Sequence, residues 1–346
     1  MNRKLAVAFI IILIGMLGLS FKVQRVEASG TIYIRADGSI DPPTAPIQRD
    51  GDAYSLTGNI TSDADGIVVE KSNIVIDGYG YALQGSINGN GFRLSNVTGV
   101  VIRNAKIVGF SLGITIGWAD SNITMTDNVI TGNNYGIYIN SAWNNTIKNN
   151  VITYNHYQGV DINHAYDKPG NIVESNLIAN NDFEGIYIYD TTMNAIVMNN
   201  TVMNNLNGIF LDGARGFGDP GNNLIIHNIV MNNTLGIRSE LSEGNKIYNN
   251  NIINNTVQVQ SDLSTNTWDD GYKGNYWSDY QTKYHNATQT GDTWDTPYVI
   301  NASNSDNHPL AYQSVIPEFP SFLILTMFMM ATLATAIFYK RRKDAA

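Results

Sequence analysis

Aromatic and acidic side chains recur along this chain at one position of a short apolar phrase. The phrase is Gly, then Ile or Val, a variable residue, and Ile or Leu; its variable position is occupied in turn by Tyr138, Asp161, Tyr187 and Phe210. Aromatic faces can stack on sugar rings, and polar groups beside them can hydrogen bond to sugar hydroxyls. These residues, repeated in register, predict a surface that binds carbohydrate.

The same surface extends to the position two residues later if each phrase is a β-strand. Side chains alternate between the faces of a strand, so the apolar residues point inward and the variable residues point outward. One outer column would contain Thr115, Tyr138, Asp161, Tyr187, Phe210 and Arg238, and the next would contain Asn140, Asn163, Tyr189, Asp212 and Glu240. The predicted ligand-binding residues are Tyr138, Asp161, Asn163, Tyr187, Tyr189, Phe210 and Asp212. The alternative is that Tyr and Phe are good strand formers on a solvated sheet.

Catalysis on this surface would require two acids at a set separation. Asp161 and Asp212 would lie two coils and one column apart, roughly 12 Å by strand geometry, which exceeds the about 5–9.5 Å that paired catalytic carboxylates use. Asp190 and Asp212 would be nearer, on adjacent coils, and His164 would lie one coil from Asp190. These three residues are the catalytic candidates, but the sequence contains no acid cluster like that of a pectate lyase or polygalacturonase. Binding is therefore favoured over catalysis.

The elements that position these columns repeat with a period near 23 residues. Glycines open the copies at positions 113, 136, 159, 185, 208 and 236. Between them, an Asn precedes an apolar pair and a second Asn follows five residues later, as in Asn128 with Asn133 and Asn150 with Asn155. Such short units cannot bury their own apolar side, whereas stacked copies pair strands in parallel about 4.8 Å apart and align their Asn side chains as ladders. The period predicts an all-β parallel β-helix of roughly eight to nine coils.

The segments outside the repeats predict an exported protein held in a membrane. The predicted organisation is a signal peptide over 1–29, an irregular N-terminal cap over 30–66, β-helix repeats over 67–264, a Trp- and Tyr-rich C-terminal cap over 265–312, a linker over 313–321, a transmembrane helix over 322–339 and a basic cytoplasmic tail over 340–346. Residues 322–339 carry no charge and precede a Lys and Arg cluster, which predicts a single pass with the repeats on the extracellular face. An uncleaved N-terminal anchor is the alternative to a cleaved signal peptide.

Composition excludes several classes of partner. The chain has 346 residues, 21 Lys plus Arg against 30 Asp plus Glu, and no Cys. Nucleic acid is not expected as a partner without a basic surface, and neither disulfides nor thiolate metal sites can form. The thioethers of Met193, Met198, Met203 and Met231 and the five His are spread over several coils, whereas copper needs convergent ligands. We therefore predict no metal site and no cofactor.

Three motifs carry a family resemblance. The repeat phrases, residues 73–78, and the motif Gly-Asn-Tyr-Trp-Ser-Asp-Tyr at 274–280 with Asp-Thr-Pro-Tyr at 295–298 resemble the NosD-like right-handed β-helix proteins over most of 67–312. This chain departs from the pattern between 280 and 295, where part of an Asp- and Gly-rich stretch is missing. The resemblance implies a right-handed β-helix, with periplasmic copper binding in the family's namesake and carbohydrate binding or hydrolysis in related domains.

The C-terminal tail carries a second resemblance. Pro317-Glu318-Phe319 before the apolar segment is similar to the sorting tails of archaeal surface proteins, which implies a sortase-like processing enzyme as a partner. Four functions stay open: a membrane-anchored protein that binds polysaccharide or surface glycoprotein, a structural cell-envelope protein, a polysaccharide lyase or hydrolase, and a copper-binding protein. The outer columns favour the first. Nine Asn-x-Ser/Thr sequons also occur, and we expect those within the repeats to be buried in the Asn ladders.

Overall fold

The chain winds into a parallel β-helix in which each coil contributes one strand to each of three sheets. The structure is a computed structural model that describes residues 30–165, 169–189, 192–213 and 221–315. The N-terminal strands are β1 (Ile32–Ile34), β2 (Ile40–Asp41), β3 (Ile47–Asp50), β4 (Ala53–Leu56) and β5 (Ile60–Thr61). These strands belong to all three sheets, so the predicted irregular conformation of residues 30–66 is wrong. Their apolar side chains, such as Ile32 and Ile60, are fully buried in the core.

Eight complete coils of three strands follow. They are β6 (Ile67–Val69), β7 (Val75–Asp77), β8 (Ala82–Gln84); β9 (Asn90–Leu94), β10 (Val101–Arg103), β11 (Lys106–Val108); β12 (Leu112–Ile116), β13 (Thr124–Thr126), β14 (Val129–Thr131); β15 (Tyr135–Asn140), β16 (Thr146–Lys148), β17 (Val151–Thr153); β18 (Val160–Asn163), β19 (Ile172–Glu174), β20 (Leu177–Ala179); β21 (Glu184–Tyr189), β22 (Ile196–Met198), β23 (Thr201–Met203); β24 (Asn207–Asp212), β25 (Leu224–Ile226), β26 (Ile229–Met231); and β27 (Leu235–Glu240), β28 (Lys246–Tyr248), β29 (Asn251–Ile253). The predicted fold and coil number are confirmed.

The C-terminal elements end two of the sheets and cover the last coil. They are β30 (Val257–Asp262), β31 (Tyr276–Trp277), α1 (Tyr280–Lys283), β32 (Gln289–Thr290), β33 (Thr293–Trp294), β34 (Tyr298–Asn301) and β35 (Asn304–Asp306). Strands β32 with β33 and β34 with β35 form antiparallel hairpins. Trp268 and Trp277 are each 1% exposed, and Trp277 stacks on Tyr298 with ring centroids 4.1 Å apart. These tryptophans seal the end of the core and do not form an open aromatic platform.

The three sheets run along the helix axis with strands from successive coils as neighbours. Sheet one has the order β2-β1-β6-β9-β12-β15-β18-β21-β24-β27-β30, sheet two β3-β4-β7-β10-β13-β16-β19-β22-β25-β28, and sheet three β5-β8-β11-β14-β17-β20-β23-β26-β29-β31. Pairing is parallel throughout the coils and antiparallel where β1 meets β2 and β3 meets β4. Each position of a coil is therefore stacked on the equivalent position of the next.

The alternation of side chains in sheet one follows the predicted register. Ile137 and Ile139 are fully buried, whereas Tyr138 between them faces outward and is half-buried. The repeated glycines leave no room for a side chain. A Cβ on Gly136, for example, would collide with the carbonyl oxygen of Gly159 on the next coil. These glycines are required because neighbouring coils approach closely there. The non-glycine residues with positive φ are mainly Asn, at the corners between sheets.

Two continuous Asn ladders connect the coils, as predicted. Their members are Asn128, Asn150, Asn176, Asn200, Asn228, Asn250 and Asn275 in the first, and Asn133, Asn155, Asn181, Asn205, Asn233 and Asn255 in the second. Asn150 is fully buried and donates to the Met125 carbonyl at 2.8 Å and to Asn176 Oδ1 at 3.0 Å. Its own Oδ1 accepts the backbone and side-chain N–H groups of Asn128, both at 3.0 Å.

The sequon asparagines do not belong to the ladders. Asn144 and Asn232 have positive φ at exposed corners, while the next residues, Asn145 and Asn233, are buried in hydrogen-bonded stacks. The expected burial of the sequons within the repeats is therefore wrong. A sequon needs Ser or Thr two residues after its Asn. In these two copies that Thr directly follows the buried Asn, so the sequon begins one residue before it.

The predicted signal peptide over 1–29 and transmembrane helix over 322–339 lie outside the described residues. Among the residues that the structure describes, no helix combines the length and the apolar character needed to cross a bilayer. Helix α1 has four residues.

Candidate functional site

The outer face of sheet one brings all the predicted ligand-binding residues together. Tyr138, Asp161, Tyr187 and Phe210 are partners on four successive coils. Asn140, Asn163, Tyr189 and Asp212 form the second column. We call the outward side chains of β15, β18, β21 and β24, together with Gln158 just before β18, the central face. The predicted columns are correct, and the role of their residues stays a prediction.

The central face is more buried than its sequence suggested. Phe210 is 6% exposed, Asp161 4% and Asn163 6%, whereas Tyr189 reaches 36%. The ring of Phe210 lies 5.2 Å from that of Tyr187, and the Arg238 guanidinium lies 4.3 Å from its centroid on the next coil. Phe210 therefore lies in the predicted outer column, but its ring is covered by its neighbours and is not open to solvent. Adjacent coils are about 4.8 Å apart, so large side chains in one column cover one another.

A third column, missed by the sequence reasoning, completes the face. Its members are Tyr135, Gln158, Glu184 and Asn207, each directly before a repeated glycine. Glu184 is 7% exposed, and its carboxylate accepts a hydrogen bond from Gln158 Nε2 at 2.7 Å and another from Asn207 Nδ2 at 2.9 Å. The signal in the sequence is the fixed position of these residues directly before each repeated glycine.

Three side-chain oxygens on one coil of this face are buried and accept no hydrogen bond from the residues described. They are Gln158 Oε1, Asp161 Oδ1 and Asn163 Oδ1. The Glu184 carboxylate holds the amide nitrogen of Gln158, so the amide oxygen must point away from it. Buried polar atoms in folded proteins are nearly always paired, so an unpaired group requires an explanation.

The carboxyl of Asp161 titrates near neutral pH. Burial raises its pKa from 3.8 to about 7; the nearby Glu184 carboxylate adds to the rise, and a hydrogen bond with Asn163 opposes it. On the second column, burial also raises the pKa of Asp212, although the Tyr187 hydroxyl donates to Asp212 Oδ2 at 2.7 Å. Groups with such shifts are common at functional sites.

Exposed apolar side chains border the third column. We call Tyr157, Phe183 and Leu206 the aromatic ledge; each lies two residues before a repeated glycine and is about two-fifths exposed, at 39%, 42% and 43%. Tyr157 lies 5.6 Å from Phe183 and 4.9 Å from Tyr135, measured between ring centroids. Tyr135 in turn contacts Tyr138 at 5.9 Å. The ledge and the central face therefore form one surface.

The catalytic candidates are only partly placed by the structure. Asp190 lies outside the described residues. His164 directly follows β18, and its ring lies 6.0 Å from that of Tyr189. The Asp212 carboxylate accepts a hydrogen bond from the Tyr187 hydroxyl. Asp161 and Asp212 lie on strands two coils apart, as predicted. This geometry adds no support for a pair of catalytic carboxylates formed by Asp161 and Asp212.

A second concave region lies between the last coil and the C-terminal residues. This cavity of about 330 Å³ is lined partly by Gln258, Asp279, Lys283 and Tyr298. Its polar groups bond to protein partners: Lys283 Nζ donates to the Val299 carbonyl at 2.9 Å, and the Tyr298 hydroxyl donates to Asp279 at 3.0 Å. The central face, bordered by the exposed aromatic ledge, is the stronger candidate for a ligand site.

The fold and this face define a β-helix protein with a polar, aromatic-lined outer surface. The chain belongs to the NosD family, since the family model described as periplasmic copper-binding protein (NosD) matches residues 57–282. No curated protein sequence matches the chain significantly.

Solved structures with a similar fold include three polysaccharide-acting enzymes. An alginate lyase from Paenibacillus sp. str. FPU-7 is 15% identical with a TM-score of 0.45, over 65% of this chain and 85% of that one. Pectate lyase Pel9A is 16% identical with a TM-score of 0.43, over 77% and 78%. The periplasmic alginate epimerase AlgG is 16% identical with a TM-score of 0.40, over 61% of this chain, which spans about half of the epimerase at 48%. At these identities the likeness concerns the fold alone.

The described residues do not fit the copper site that the family description implies. Met203 and Met231 are partners on the outer face of sheet three, where Met203 packs against an apolar cluster. Met198 lies on sheet two, and His164 lies beside Tyr189 on sheet one. Within the described ranges, no three His, Asp or Glu side chains are grouped so that they could hold a metal ion. Copper needs several such ligands in one shell.

Proposed function

We propose that the protein binds polysaccharide, or the glycan of a surface glycoprotein, along the central face and the aromatic ledge. The observation that carries the proposal is the exposed ledge of Tyr157, Phe183 and Leu206 beside a row of buried polar side chains that the fold holds in place. Carbohydrate sites combine these two features because sugar rings have both apolar faces and hydroxyl edges.

The repeat geometry suits an elongated ligand. Successive coils are about 4.8 Å apart, so an extended polymer along the helix axis would meet a new set of side chains at each coil. The ledge supplies Tyr157 and Phe183 on adjacent coils, with their rings 5.6 Å apart. Large aromatic side chains at the centre of a contact surface commonly contribute most of the binding energy.

The polar side chains of the central face are fixed before any ligand arrives. Glu184 holds the amides of Gln158 and Asn207, and Asp212 holds the Tyr187 hydroxyl. Fixing these groups in advance reduces the entropy that would be lost on binding.

Binding is tested by affinity electrophoresis of the full-length chain through gels that contain soluble polysaccharides, supported by a glycan array. Replacement of Tyr157 and Phe183 together by Ala should weaken binding at least tenfold, because both ring faces are lost. The matched control is Tyr272→Ala, since Tyr272 is 83% exposed and lies among the C-terminal residues. If the wild-type chain binds no glycan, the purely structural function is favoured. Release of oligosaccharide from a bound polymer would instead indicate a lyase or hydrolase.

We further propose that this β-helix lies on the extracellular face of the membrane and is anchored by residues 322–339, with the C-terminus in the cytoplasm. The support is the uncharged segment followed by the basic residues 340–343. Protease added to intact cells should digest the repeats and leave a tag after Lys343 protected. A tag that is accessible from outside would contradict this orientation, and a mature chain that ends near Pro320 would indicate sortase-like processing of the archaeal type.

A further inference from the structure

We propose that Asn286 is the site at which the folded protein accepts an N-linked oligosaccharide, and that the sequons within the coils become inaccessible to this modification once the β-helix has formed. Of the nine Asn-x-Ser/Thr sequons in the chain, two lie among the C-terminal elements, at Asn286 and Asn301. The other seven lie within the coils, and they begin at Asn59, Asn96, Asn122, Asn144, Asn199, Asn232 and Asn254.

A sequon has to enter the active site of a transferase as a tripeptide. It is defined by the Asn that is modified and by the Ser or Thr two residues later, so the enzyme must contact both residues at once. The residue between them must therefore leave the protein interior together with them. Exposure of the middle residue matters as much as exposure of the Asn.

The middle residue is buried in each of the seven sequons of the coils, with at most 8% of its surface exposed. In three of them it is an aliphatic side chain of the core, such as the fully buried Ile123. In the other four it is a buried, hydrogen-bonded Asn.

Asn233, the middle residue of the sequon at Asn232, shows what presentation of such a sequon would cost. Its Oδ1 accepts the backbone and side-chain N–H groups of Asn205 at 2.9 and 3.2 Å, and its Nδ2 donates to Asn255 Oδ1 at 3.0 Å and to the Val202 carbonyl at 3.1 Å. All four hydrogen bonds are buried, and their loss leaves polar groups without partners. The exposed Asn232 therefore cannot be presented unless the coil opens.

Asn286 lies instead on an exposed turn between α1 and β32. Asn286 and Thr288 are both exposed, and Ala287 between them is only partly buried. The turn is held by hydrogen bonds from Ala287 N to the Tyr284 carbonyl at 3.1 Å and from Thr288 N to Asp295 Oδ1 at 3.0 Å. Because surface turns open locally at a small cost in free energy, this tripeptide can be presented while the coils stay folded.

The second sequon of the C-terminal elements is less available. Asn301 Oδ1 accepts hydrogen bonds from Ser303 N at 2.9 Å and from Asn304 Nδ2 at 3.0 Å, and Asn301 Nδ2 donates to the Ser261 carbonyl. These bonds join the hairpin of β34 and β35 to β30. The nitrogen that would receive the sugar is thus already engaged within the fold.

The modification uses a lipid-linked oligosaccharide as the donor. The amide nitrogen of Asn286 forms a bond to the anomeric carbon of the first sugar, and the bond from that carbon to the lipid phosphate breaks. The phosphate leaves with the electron pair, and the amide releases one proton to solvent. In cells this transfer requires the extracellular placement proposed above, whereas accessibility of each sequon depends on the fold alone.

The test is transfer in vitro to the folded full-length chain, followed by peptide mapping with mass spectrometry. It uses a lipid-linked oligosaccharide and a purified oligosaccharyltransferase that modifies short synthetic peptides spanning the sequons, including the Asn286 peptide. We expect Asn286 to be modified in the folded chain, and the sequons of the coils to be modified at least tenfold less than in their peptides. Asn286→Gln should remove the main modification, whereas the matched control Asn301→Gln should leave it unchanged.

Opening one coil tests why its sequon is protected. Asn233→Ala keeps the Asn-x-Thr sequon at Asn232 but removes the four buried hydrogen bonds of the Asn233 side chain. Modification of Asn232 should then rise at least threefold over wild type. An unchanged level at Asn232, in a variant whose unfolding in urea shows a loss of stability, would show that the buried Asn does not protect the sequon.

Two further results would overturn the inference. One is a folded chain in which Asn286 stays unmodified although its peptide is accepted. The other is modification of the coil sequons to the level of their peptides in a chain whose circular dichroism spectrum is that of the folded protein. Neither result depends on the central face or on the membrane anchor, because the enzyme and the donor are supplied, so this inference and the proposed function can fail separately.

Discussion

The corners of the β-helix and its central face use the same amide side chains in opposite ways. In the corner ladder, Asn150 bonds to the coil on each side and is fully paired. On the central face, Asn163 is also buried on a stacked coil, yet its Oδ1 accepts no hydrogen bond within the described part of the chain. The difference separates stacks that hydrogen bond from coil to coil from stacks that do not.

The contrast follows from how the two regions repeat. A ladder has the same residue on every coil, so each amide donates to its neighbour on one side and accepts from its neighbour on the other. The first outer column instead changes from Tyr138 to Asp161, Tyr187 and Phe210. Aromatic neighbours cover the Asp161 carboxyl and restrict its access to solvent. A column whose residue type differs between coils can therefore form a local site on a fold that otherwise repeats.

The largest expected loss of stability comes from a substitution in the corner ladder. Asn150→Leu should destabilise the fold by about 3–5 kcal/mol, because Asn128, Asn176 and the Met125 carbonyl all lose a buried hydrogen-bond partner. Urea unfolding followed by circular dichroism measures the change. Asn140→Leu on the outer face is the control and should cost under about 1 kcal/mol. A melting temperature within a degree of wild type for Asn150→Leu would show that the ladder is not stabilising.

A smaller loss of stability is expected from the packed part of the outer face. Phe210→Ala should cost about 2–4 kcal/mol, since the ring is 6% exposed and packs between Tyr187 and Arg238. Thermal or urea unfolding checks the value. Val257→Ala, at a side chain that is 47% exposed, should change stability by only about 0.5 kcal/mol. Equal effects of the two changes would mean that the outer face is solvated throughout.

The smallest effect on stability should come from the aromatic ledge. Tyr157→Ala combined with Phe183→Ala should lower the free energy of unfolding by no more than about 1–2 kcal/mol, because both side chains are about two-fifths exposed, at 39% and 42%. The same double variant should lose glycan binding, as measured by affinity electrophoresis. Retained stability with lost binding would separate the ledge from Phe210, whereas unfolding of the double variant would place the ledge in the core.

Much of the fold could be predicted from the sequence because the repeat fixes it at every level. The glycine period and the paired Asn phrases gave the correct strands, ladders and columns, and the stack of Tyr138 on Asp161 follows directly from them. Burial was harder to predict, because the exposure of Phe210 depends on the size of Tyr187 and Arg238 on neighbouring coils. Because the residue type in this column changes from coil to coil, the repeat pattern does not determine how exposed each of its side chains is.

The hydrogen bonds of the site were also beyond a sequence pattern. Glu184 accepts hydrogen bonds from Gln158 and Asn207, which links side chains on three coils. All three residues lie directly before a repeated glycine, outside the phrase that begins with that glycine. The aromatic ledge was missed for the same reason, since Tyr157 and Phe183 lie one residue earlier still. Unpaired oxygens such as Asp161 Oδ1 can be recognised only once the partners of every neighbour are known.

The stability of Asp161→Asn as a function of pH tests most directly whether the unpaired group serves a ligand or the fold. The folded state raises the pKa of this carboxyl from 3.8 to about 7, so it disfavours the ionised form. Wild type should therefore lose stability as pH rises from about 4 to about 7, and the full loss should persist above that range. Asn carries no such charge and avoids this loss.

The measurement is urea unfolding of wild type and Asp161→Asn at pH 4 and pH 8. We predict nearly equal stability at pH 4, and at pH 8 a variant that is more stable than wild type by up to ~4 kcal/mol. This outcome would show that the Asp161 carboxylate does not stabilise the fold, as expected of a group on a ligand-binding surface. A variant that is less stable than wild type at pH 8 would show that the Asp161 carboxylate supports the fold, and would contradict the assignment of the central face as a ligand site.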